Sequence, residues 1–168
     1  MDAVIRVWKM EDAPNLAIAL NNKKILDMLR DGLPYPYTCE DAETYIEAML
    51  SAEQDTQFSW AITVDDQAIG SVGAFRKDNI HHRTAELGYY IAEPYWGRGI
   101  GTAAVKQACA SVFANTDIVR IFAEPFSSNI ASCRVLEKAG FVFEGLLRKN
   151  AVKNDVFLDS KLYALLKD

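Results

Sequence analysis

The residues best suited to chemistry form a glycine-rich stretch, EPYWGRGIGTAA, at positions 93–104. Glycines at 97, 99 and 101 have no Cβ, so a ligand can approach the backbone closely there. The run that follows favours a helix, and the N–H groups of residues 98–102 would point out of the helix start, where the dipole favours an anion. We therefore predict a site for a pyrophosphate-bearing molecule. The alternative is a helix start that only turns tightly.

A dinucleotide-binding fold is a competing hypothesis, because residues 99–104 match the pattern G-x-G-x-x-G/A. In that fold the first glycine follows its strand almost immediately, whereas residues 92–96 separate Ile91 from Gly97 here. Glu124, after the next strand-like run, could imitate the acid that binds the ribose. However, only one helix is predicted between Ala123 and the closing strands, and a dinucleotide fold needs several further strand-helix units. The sequence therefore disfavours this fold.

Cysteine and histidine chemistry is not indicated. Cys39, Cys109 and Cys133 are far apart and form no C-x-x-C pair, so neither a disulfide framework nor a zinc site is suggested. A reducing, cytoplasmic setting is the natural expectation. His81 and His82 are adjacent, and in an extended segment their side chains would point to opposite sides. We expect a solvated loop at these histidines, and no metal.

Composition describes one globular domain rather than a disordered or membrane protein. The 168 residues are 50% hydrophobic and carry a net charge of −5, which argues weakly against nucleic acid as a partner and suits a basic or amine-bearing one. The N-terminus, MDAVIRVWKM, alternates apolar and polar residues as a first strand does and lacks the apolar core of a signal peptide. No run approaches the length that a membrane span requires.

The elements that must position the glycine-rich stretch follow from periodicity and turn signals. In the first half we predict a strand at 4–8, one or two short helices opening at Asp12, a helix at 40–51 capped near Thr38, and strands at 58–64, 67–75 and 85–91. Asp65 and Asp66 mark a tight hairpin between two of these strands.

The second half changes its pattern. We predict a helix at 101–113, a strand at 118–123, a helix at 129–139 that Gly140 ends, and strands at 141–146 and 156–165. There is no repeat and no linker, so the chain is one mixed α/β unit.

Two longer motifs, LGYYIAEPYWGRGIGTAA at 87–104 and FSSNIASCRVLEKAGFVFEGLLR at 126–148, resemble the GNAT (general N-acetyltransferase) superfamily. They are most similar to its branch of ribosomal-protein-alanine and related N-acetyltransferases. The resemblance extends from IRVWKMEDAPNL through LPYPYTCEDAETYI to VFLDSKLYALL. It implies a single domain over residues 1–168, built on a mixed, strongly twisted sheet of about seven strands flanked by four helices.

The resemblance implies acetyl-coenzyme A as co-substrate. Its pyrophosphate would bind residues 96–102, although Trp96 stands where the superfamily usually has Gln or Arg. Its pantetheine arm would add to the strand at 85–91 as a pseudo-strand, between two strands that splay apart. The implied coenzyme-binding residues are Tyr89, Tyr90, Ile91, Trp96, Gly97, Arg98, Gly99, Ile100, Gly101, Thr102, Asn129 and Ser132. Valine at Gly99 or Gly101 is expected to abolish binding and to leave the fold intact.

Catalysis requires a base for the ammonium and an acid for the departing thiolate. A backbone N–H of the strand at 85–91 would stabilise the oxyanion. The resemblance points to Glu86 as the base, on one face with Gly88 and Tyr90; the alternative is an exposed carboxylate. It points to Ser132 as the proton donor and to Asn129 as a contact of the pantetheine arm. Both residues could instead only cap the helix start.

The acceptor implied by the resemblance is a primary amine. The N-terminal amine of a protein or peptide is the first expectation, and a small amine (an amino acid, a polyamine or an antibiotic) is the alternative. Tyr35, Tyr37 and Phe75 are expected to line the acceptor cleft, unless they are ordinary packing. A coenzyme-binding module without catalysis is the competing class, and a homodimer remains open.

Overall fold

The structure is a computed structural model that describes residues 2–168. Its strands are β1 (Val4–Arg6), β2 (Gln57–Val64), β3 (Gln67–Arg76), β4 (Thr84–Ile91), β5 (Arg120–Ala123), β6 (Val142–Lys153) and β7 (Val156–Leu166). Its helices are α1 (Ala13–Leu20), α2 (Lys23–Leu26), α3 (Cys39–Ser51), α4 (Ile100–Asn115) and α5 (Ile130–Lys138). Short 3-10 turns cover Met10–Asp12, Asn79–His81 and Glu93–Tyr95.

The strands form one 7-stranded sheet in the order β1-β2-β3-β4-β5-β7-β6. All neighbours are antiparallel except β4 and β5, which are parallel. The predicted mixed α/β class and strand number are confirmed. One helix more than expected is present, because the segment after α1 closes a separate four-residue helix, α2.

An apolar layer covers each face of the sheet. On one face α4 and α5 pack on the strands through residues such as Val72, Leu87, Val105 and Leu136. On the other face α1 and α3 pack through residues such as Trp8, Leu16, Ile46 and Ala61. Successive strand residues alternate between these layers, as Ala61 and Ile62 do. Within residues 2–168 none of the helices has both the length and the apolar character to cross a membrane.

Local turn and cap signals in the sequence correspond to the observed geometry. Asp65 and Asp66 both have positive φ (50° and 62°), as a tight hairpin between β2 and β3 requires. Thr38 accepts a hydrogen bond from the Asp41 N–H at 3.1 Å and thereby caps α3. Gly140 follows α5 with a φ of 96°, the left-handed conformation that commonly ends a helix.

Two local expectations need correction. Asp12 precedes α1 but its side chain does not cap that helix; the carboxylate instead accepts two 2.8 Å bonds from the Arg6 guanidinium and one from the Lys9 N–H, at the start of the 3-10 turn. Strand β6 runs to Lys153 rather than stopping at 146 and closes on β7 through a turn at Asn154 and Asp155. Register shifts in β6 interrupt the alternation of its side chains between the two faces. The alternating pattern in the sequence therefore ends before the strand does.

The parallel pair β4 and β5 separates after a short contact, and this separation creates the site. Its last register pair is Glu86 with Phe122. The chain beyond β5 continues to follow β7, because the Lys161 N–H donates to the Pro125 carbonyl at 2.9 Å. The edge of β4 from Leu87 to Ile91 is therefore left open.

Candidate active site

One large cleft of about 1600 Å³ runs along the open edge of β4. Its walls come from β4, the loop before α4, the first turn of α4 and the start of α5. They include every residue expected to bind the coenzyme: Tyr89, Tyr90, Ile91, Trp96, Gly97, Arg98, Gly99, Ile100, Gly101, Thr102, Asn129 and Ser132. Glu86 and Phe75 also line the cleft. Residues distant in sequence are thus brought to one surface.

The loop before α4 uses its glycines in two different ways. Gly97 and Gly99 have positive φ (74° and 77°), and a Cβ built on either would meet nothing within 4 Å. Gly101 is buried, and a Cβ there would lie 3.3 Å from Cδ1 of Ile91 and 3.3 Å from Cγ2 of Val135. Gly101 therefore permits close packing of α4. Valine at Gly101 would have to displace these two side chains, so a cost in stability is expected there beside any effect on binding.

The start of α4 presents backbone donors to the cleft. The Ala103 N–H makes the first hydrogen bond of the helix, with the Gly99 carbonyl at 3.2 Å. The N–H groups of Ile100, Gly101 and Thr102 come before it and have no acceptor within the helix. Such donors, aligned with the positive end of the helix dipole, favour a bound anion. The Arg98 guanidinium lies 5.7 Å from the centre of the Tyr95 ring and adds a positive charge beside them.

Main-chain polar groups line the open edge of β4. The Lys77 N–H donates to the Thr84 carbonyl and the Ala92 N–H to the Ile69 carbonyl, each at 2.8 Å. In an antiparallel pair, successive residues turn their N–H and carbonyl groups alternately toward the partner strand and away from it. Along the open edge, the main-chain groups that point away from β3 therefore belong to Leu87, Tyr89 and Ile91. Trp96 Nε1 donates to the Ile91 carbonyl at 2.7 Å and fixes the loop on the strand end. The edge can therefore pair with an extended ligand.

Glu86 occupies the last position of β4 that pairs with β5, where the gap between these two strands, here called the slot, begins. Its side chain is only 17% exposed, and its carboxylate forms an ion pair with Arg30. Gly88, two residues further on the same face, would place a Cβ in open space. An amine that approached the slot from this face would meet the Glu86 carboxylate.

A hydroxyl pair lies on the other side of β4. Ser132 Oγ is 2.7 Å from the Tyr89 hydroxyl, which also donates to the Ser132 carbonyl at 3.1 Å. Burial raises the pKa of Tyr89 to about 12, although the bond with Ser132 opposes the shift. Asn129 caps α5, because its Oδ1 accepts from the Ser132 N–H at 3.2 Å. Asn129 and Ser132 thus both take part in the cap of α5 and both line the cleft.

Two chemically relevant side chains were not predicted from the sequence. Tyr89 was expected to contribute only its backbone, yet period-two alternation already places its side chain opposite to Glu86, toward α5. Glu124 lines the cleft just after β5. The register of Glu86 with Phe122 places Glu124 on the Glu86 face, two residues beyond the last pair. The slot is therefore flanked by two carboxylates.

The aromatic residues expected at the acceptor cleft have three different positions. Phe75 pairs in register with Glu86, is 46% exposed and lines the cleft. Tyr35 lies outside the lining, with the Lys23 ammonium 5.9 Å from its ring centre. Tyr37 is buried in the layer under α1 and α3, where burial raises its pKa to about 12. Only Phe75 is thus placed to contact an acceptor, because long-range packing draws Tyr37 inward.

The cleft is also bounded by residues 27–33 and by the end of β6. Lys153 joins these walls: its Nζ donates to the Leu29 carbonyl at 2.8 Å and lies 2.9 Å from the Asp31 carboxylate. This connection gives the loop after α2 a defined position opposite Glu86.

Comparison with known proteins identifies the family. A family model for the acetyltransferase (GNAT) domain matches residues 3–142. The chain belongs to the GNAT acetyltransferase family. It is 35% identical to the probable N-acetyltransferase YjcK of Bacillus subtilis (strain 168) over 73% of this chain and 68% of that relative. It is 29% identical to the ribosomal-protein-serine acetyltransferase of Escherichia coli (strain K12) over 62% of this chain and 58% of that relative.

The GNAT fold extends over the whole sheet. The solved structure of RimL, a ribosomal alpha-N-protein acetyltransferase in complex with coenzyme A, matches with a TM-score of 0.87 at 21% identity, over 99% of this chain and 94% of RimL. In this GNAT acetyltransferase the cleft brings anion-binding N–H groups, an unpaired strand edge, two carboxylates and a hydroxyl pair to one surface. These groups can hold an extended phosphorylated ligand and move protons beside it.

Proposed function

We propose that this acetyltransferase transfers the acetyl group of acetyl-coenzyme A to the N-terminal amine of a protein or peptide, by direct attack in a ternary complex. The observation that carries the proposal is the open edge of β4, which meets the glycine loop at one end and Glu86 at the other. We place the acceptor between residues 27–33 and the end of β6, which bound the cleft opposite Glu86. The similarity to a ribosomal-protein acetyltransferase supports the same acceptor class.

Acetyl-coenzyme A supplies the acetyl group, and this chain offers matching contacts for it. The open space at Gly97 and Gly99 and the N–H groups at the start of α4 suit a pyrophosphate. The outward-facing carbonyl of Leu87 and the N–H and carbonyl of Tyr89 suit the amides of the pantetheine arm, because the Leu87 N–H belongs to the last pair with β5. An N–H of the same edge is available to stabilise the oxyanion that forms when the amine attacks.

Proton transfer is assigned to side chains on the two sides of β4. Glu86 binds the acceptor ammonium and takes its proton, which frees the nitrogen lone pair for attack. Glu124, on the same face, is the second carboxylate in reach of the slot. Ser132 relays a proton to the departing thiolate and regains one from solvent, with Tyr89 at 2.7 Å as the hydrogen-bond partner that orients it. The second proton of the attacking nitrogen leaves to solvent as the tetrahedral intermediate collapses.

The proposed location of the protein is the reducing cytoplasm. Its support is that Cys39, Cys109 and Cys133 are free thiols.

The acceptor is tested by incubating the protein with labelled acetyl-coenzyme A and a cell extract, followed by mass spectrometry of the labelled products. Label on polypeptide N-termini is the expected result. Label on a metabolite instead would overturn the protein acceptor and favour the small amine.

Binding is tested separately by titration calorimetry. Coenzyme A should bind in the micromolar range and NAD should not. Coenzyme binding without turnover of any peptide, amino acid or polyamine would identify a module that has lost catalysis.

A further inference from the structure

The carboxylate proposed to bind the acceptor amine is already occupied by a cation of this chain. Arg30 forms an ion pair with Glu86, and the side chain of Arg30 is 77% exposed whereas that of Glu86 is 17% exposed. A pair with one exposed member contributes little stability, so an arriving ammonium can displace the guanidinium at low cost. Binding of a cationic acceptor then leaves Arg30 without its partner.

Arg30 cannot move far from the cleft when it is displaced, because the residues on both sides of it are tied to β6, Leu29 through its carbonyl and Asp31 through its carboxylate. Lys153 Nζ donates to the carbonyl of Leu29 at 2.8 Å and lies 2.9 Å from the carboxylate of Asp31. The Lys153 side chain is itself only 11% exposed, so this anchor is well defined. A displaced Arg30 guanidinium therefore stays at the mouth of the acceptor cleft.

The two carboxylates of the Arg30 loop segment, Asp27 and Asp31, already have partners of their own. Asp31 is already paired with Lys153. Asp27 lies 3.5 Å from the Asn154 amide, at the other end of the same loop segment. When the acceptor amine has replaced the Arg30 guanidinium at Glu86, an anionic group on the same acceptor would be close enough to bind Arg30.

We propose that Arg30 is a specificity-determining residue, which exchanges Glu86 for a negative group of the acceptor when the acceptor amine binds Glu86. The inference rests on the proposed function and refines its acceptor class. The preferred substrate is a primary amine with a carboxylate close to it, such as a peptide N-terminus whose second residue is Asp or Glu. Each charge of the resting pair then has a new partner in the ternary complex.

The test compares peptides that differ only at the second residue, Asp against Asn, at saturating acetyl-coenzyme A. The wild-type protein should acetylate the Asp peptide with a kcat/KM about threefold to fivefold higher, the size expected of an exposed ion pair. Arg30→Gln should make the two peptides equal, and Arg30→Lys should retain part of the preference. The preference should also shrink between about 0.05 M and about 0.5 M salt.

A matched control is Arg148→Gln, which removes the charge of an exposed arginine on β6 that does not line the cleft. This variant should keep the wild-type preference. Equal rates for both peptides in the wild-type protein, or an unchanged preference in Arg30→Gln, would overturn the inference.

The same comparison on small amines separates this inference from the proposed function. Alanine and alaninamide differ in the carboxylate beside the amine and form the matched pair. If only small amines are acetylated, the peptide acceptor is wrong, and a preference for alanine that Arg30→Gln removes still supports the role of Arg30. Transfer to peptides without a charge preference would reject the role of Arg30 and leave the peptide acceptor in place.

Discussion

The hydroxyl oxygens of Tyr89 and Ser132 lie 2.7 Å apart, and the Tyr89 hydroxyl also lies within bonding distance of the Ser132 carbonyl, at 3.1 Å. A phenol has one proton. When Tyr89 donates it to the carbonyl, the Ser132 proton must point back at Tyr89. When Tyr89 donates to Oγ, the Ser132 proton can point into the cleft. Only the second arrangement leaves a proton for a thiolate, so Tyr89 controls what Ser132 can do.

Tyr89→Phe should lower kcat about tenfold, because Ser132 loses the partner that orients its hydroxyl. Ser132→Ala should lower kcat by at least as much, and the double variant should be no slower than Ser132→Ala alone, since Tyr89 acts through Ser132. Rates of coenzyme A release measure the effect. Coenzyme A affinity by calorimetry should be the same in all three variants. Losses that multiply in the double variant would instead assign Tyr89 to packing between β4 and α5.

Glu86→Gln should lower kcat about a hundredfold with unchanged coenzyme A affinity, because the amide cannot take the proton of the ammonium. The isosteric Glu124→Gln is the matched control on the same face of the slot. Its effect should be smaller, and confined to KM of the acceptor. A larger loss in Glu124→Gln would move the base to Glu124.

Features that depend on neighbouring residues could be predicted from the sequence. The left-handed turn at Asp65 and Asp66, the cap at Thr38 and the glycine loop before α4 are each specified by residue types a few positions apart. Their backbone geometry follows from local sterics and hydrogen bonding, which a single sequence contains. The order of elements and most of the coenzyme face of the cleft were therefore accessible.

Features that depend on contacts between distant residues could not be predicted from the sequence. Arg30 and Glu86 are 56 residues apart, and Tyr89 and Ser132 are 43 apart, so no local pattern links them. Tyr37 was expected in the acceptor cleft from the family resemblance, but burial depends on what packs above it, here α1 and α3. Most of the residues expected to bind the coenzyme lie in the continuous motif at 87–104, whereas residues 27–33 and the end of β6, which bound the other part of the cleft, are separate segments. That difference explains why the acceptor was the weaker prediction.

Substitutions in the glycine loop should separate binding from stability. Gly99→Ala should weaken coenzyme A binding about tenfold and cost about 1 kcal/mol of unfolding free energy, because its left-handed φ of 77° disfavours a side chain. Gly101→Val should instead cost about 2 kcal/mol or more through overpacking against Ile91 and Val135. Gly145→Ala is the control, since a Cβ there meets nothing within 4 Å and its φ is not positive. Urea unfolding and calorimetry on the same samples give both quantities.

The ion pair of Arg6 and Asp12 should make stability depend on pH in acid. Burial opposes ionisation of Asp12, but hydrogen bonds from Arg6 and from the Lys9 N–H, with the charge of Arg6, outweigh it and lower the Asp12 pKa. The side chains are 19% and 6% exposed, and Asp12→Asn leaves Arg6 with the more exposed Asp66 as its ion-pair partner, so the substitution should cost about 2 kcal/mol at pH 7.

The sign of the effect follows from the lowered pKa. A carboxyl that is more acidic in the folded state stabilises the protein above its unfolded pKa of about 3.9, and this contribution is lost as the pH falls through the folded value. The difference in unfolding free energy between the wild-type protein and Asp12→Asn should therefore be constant from pH 7 to about pH 5 and shrink below about pH 4. Glu47→Gln, at an exposed position of α3, should show no such trend. A difference that stays constant down to pH 2 would mean that packing rather than charge holds Asp12 in place.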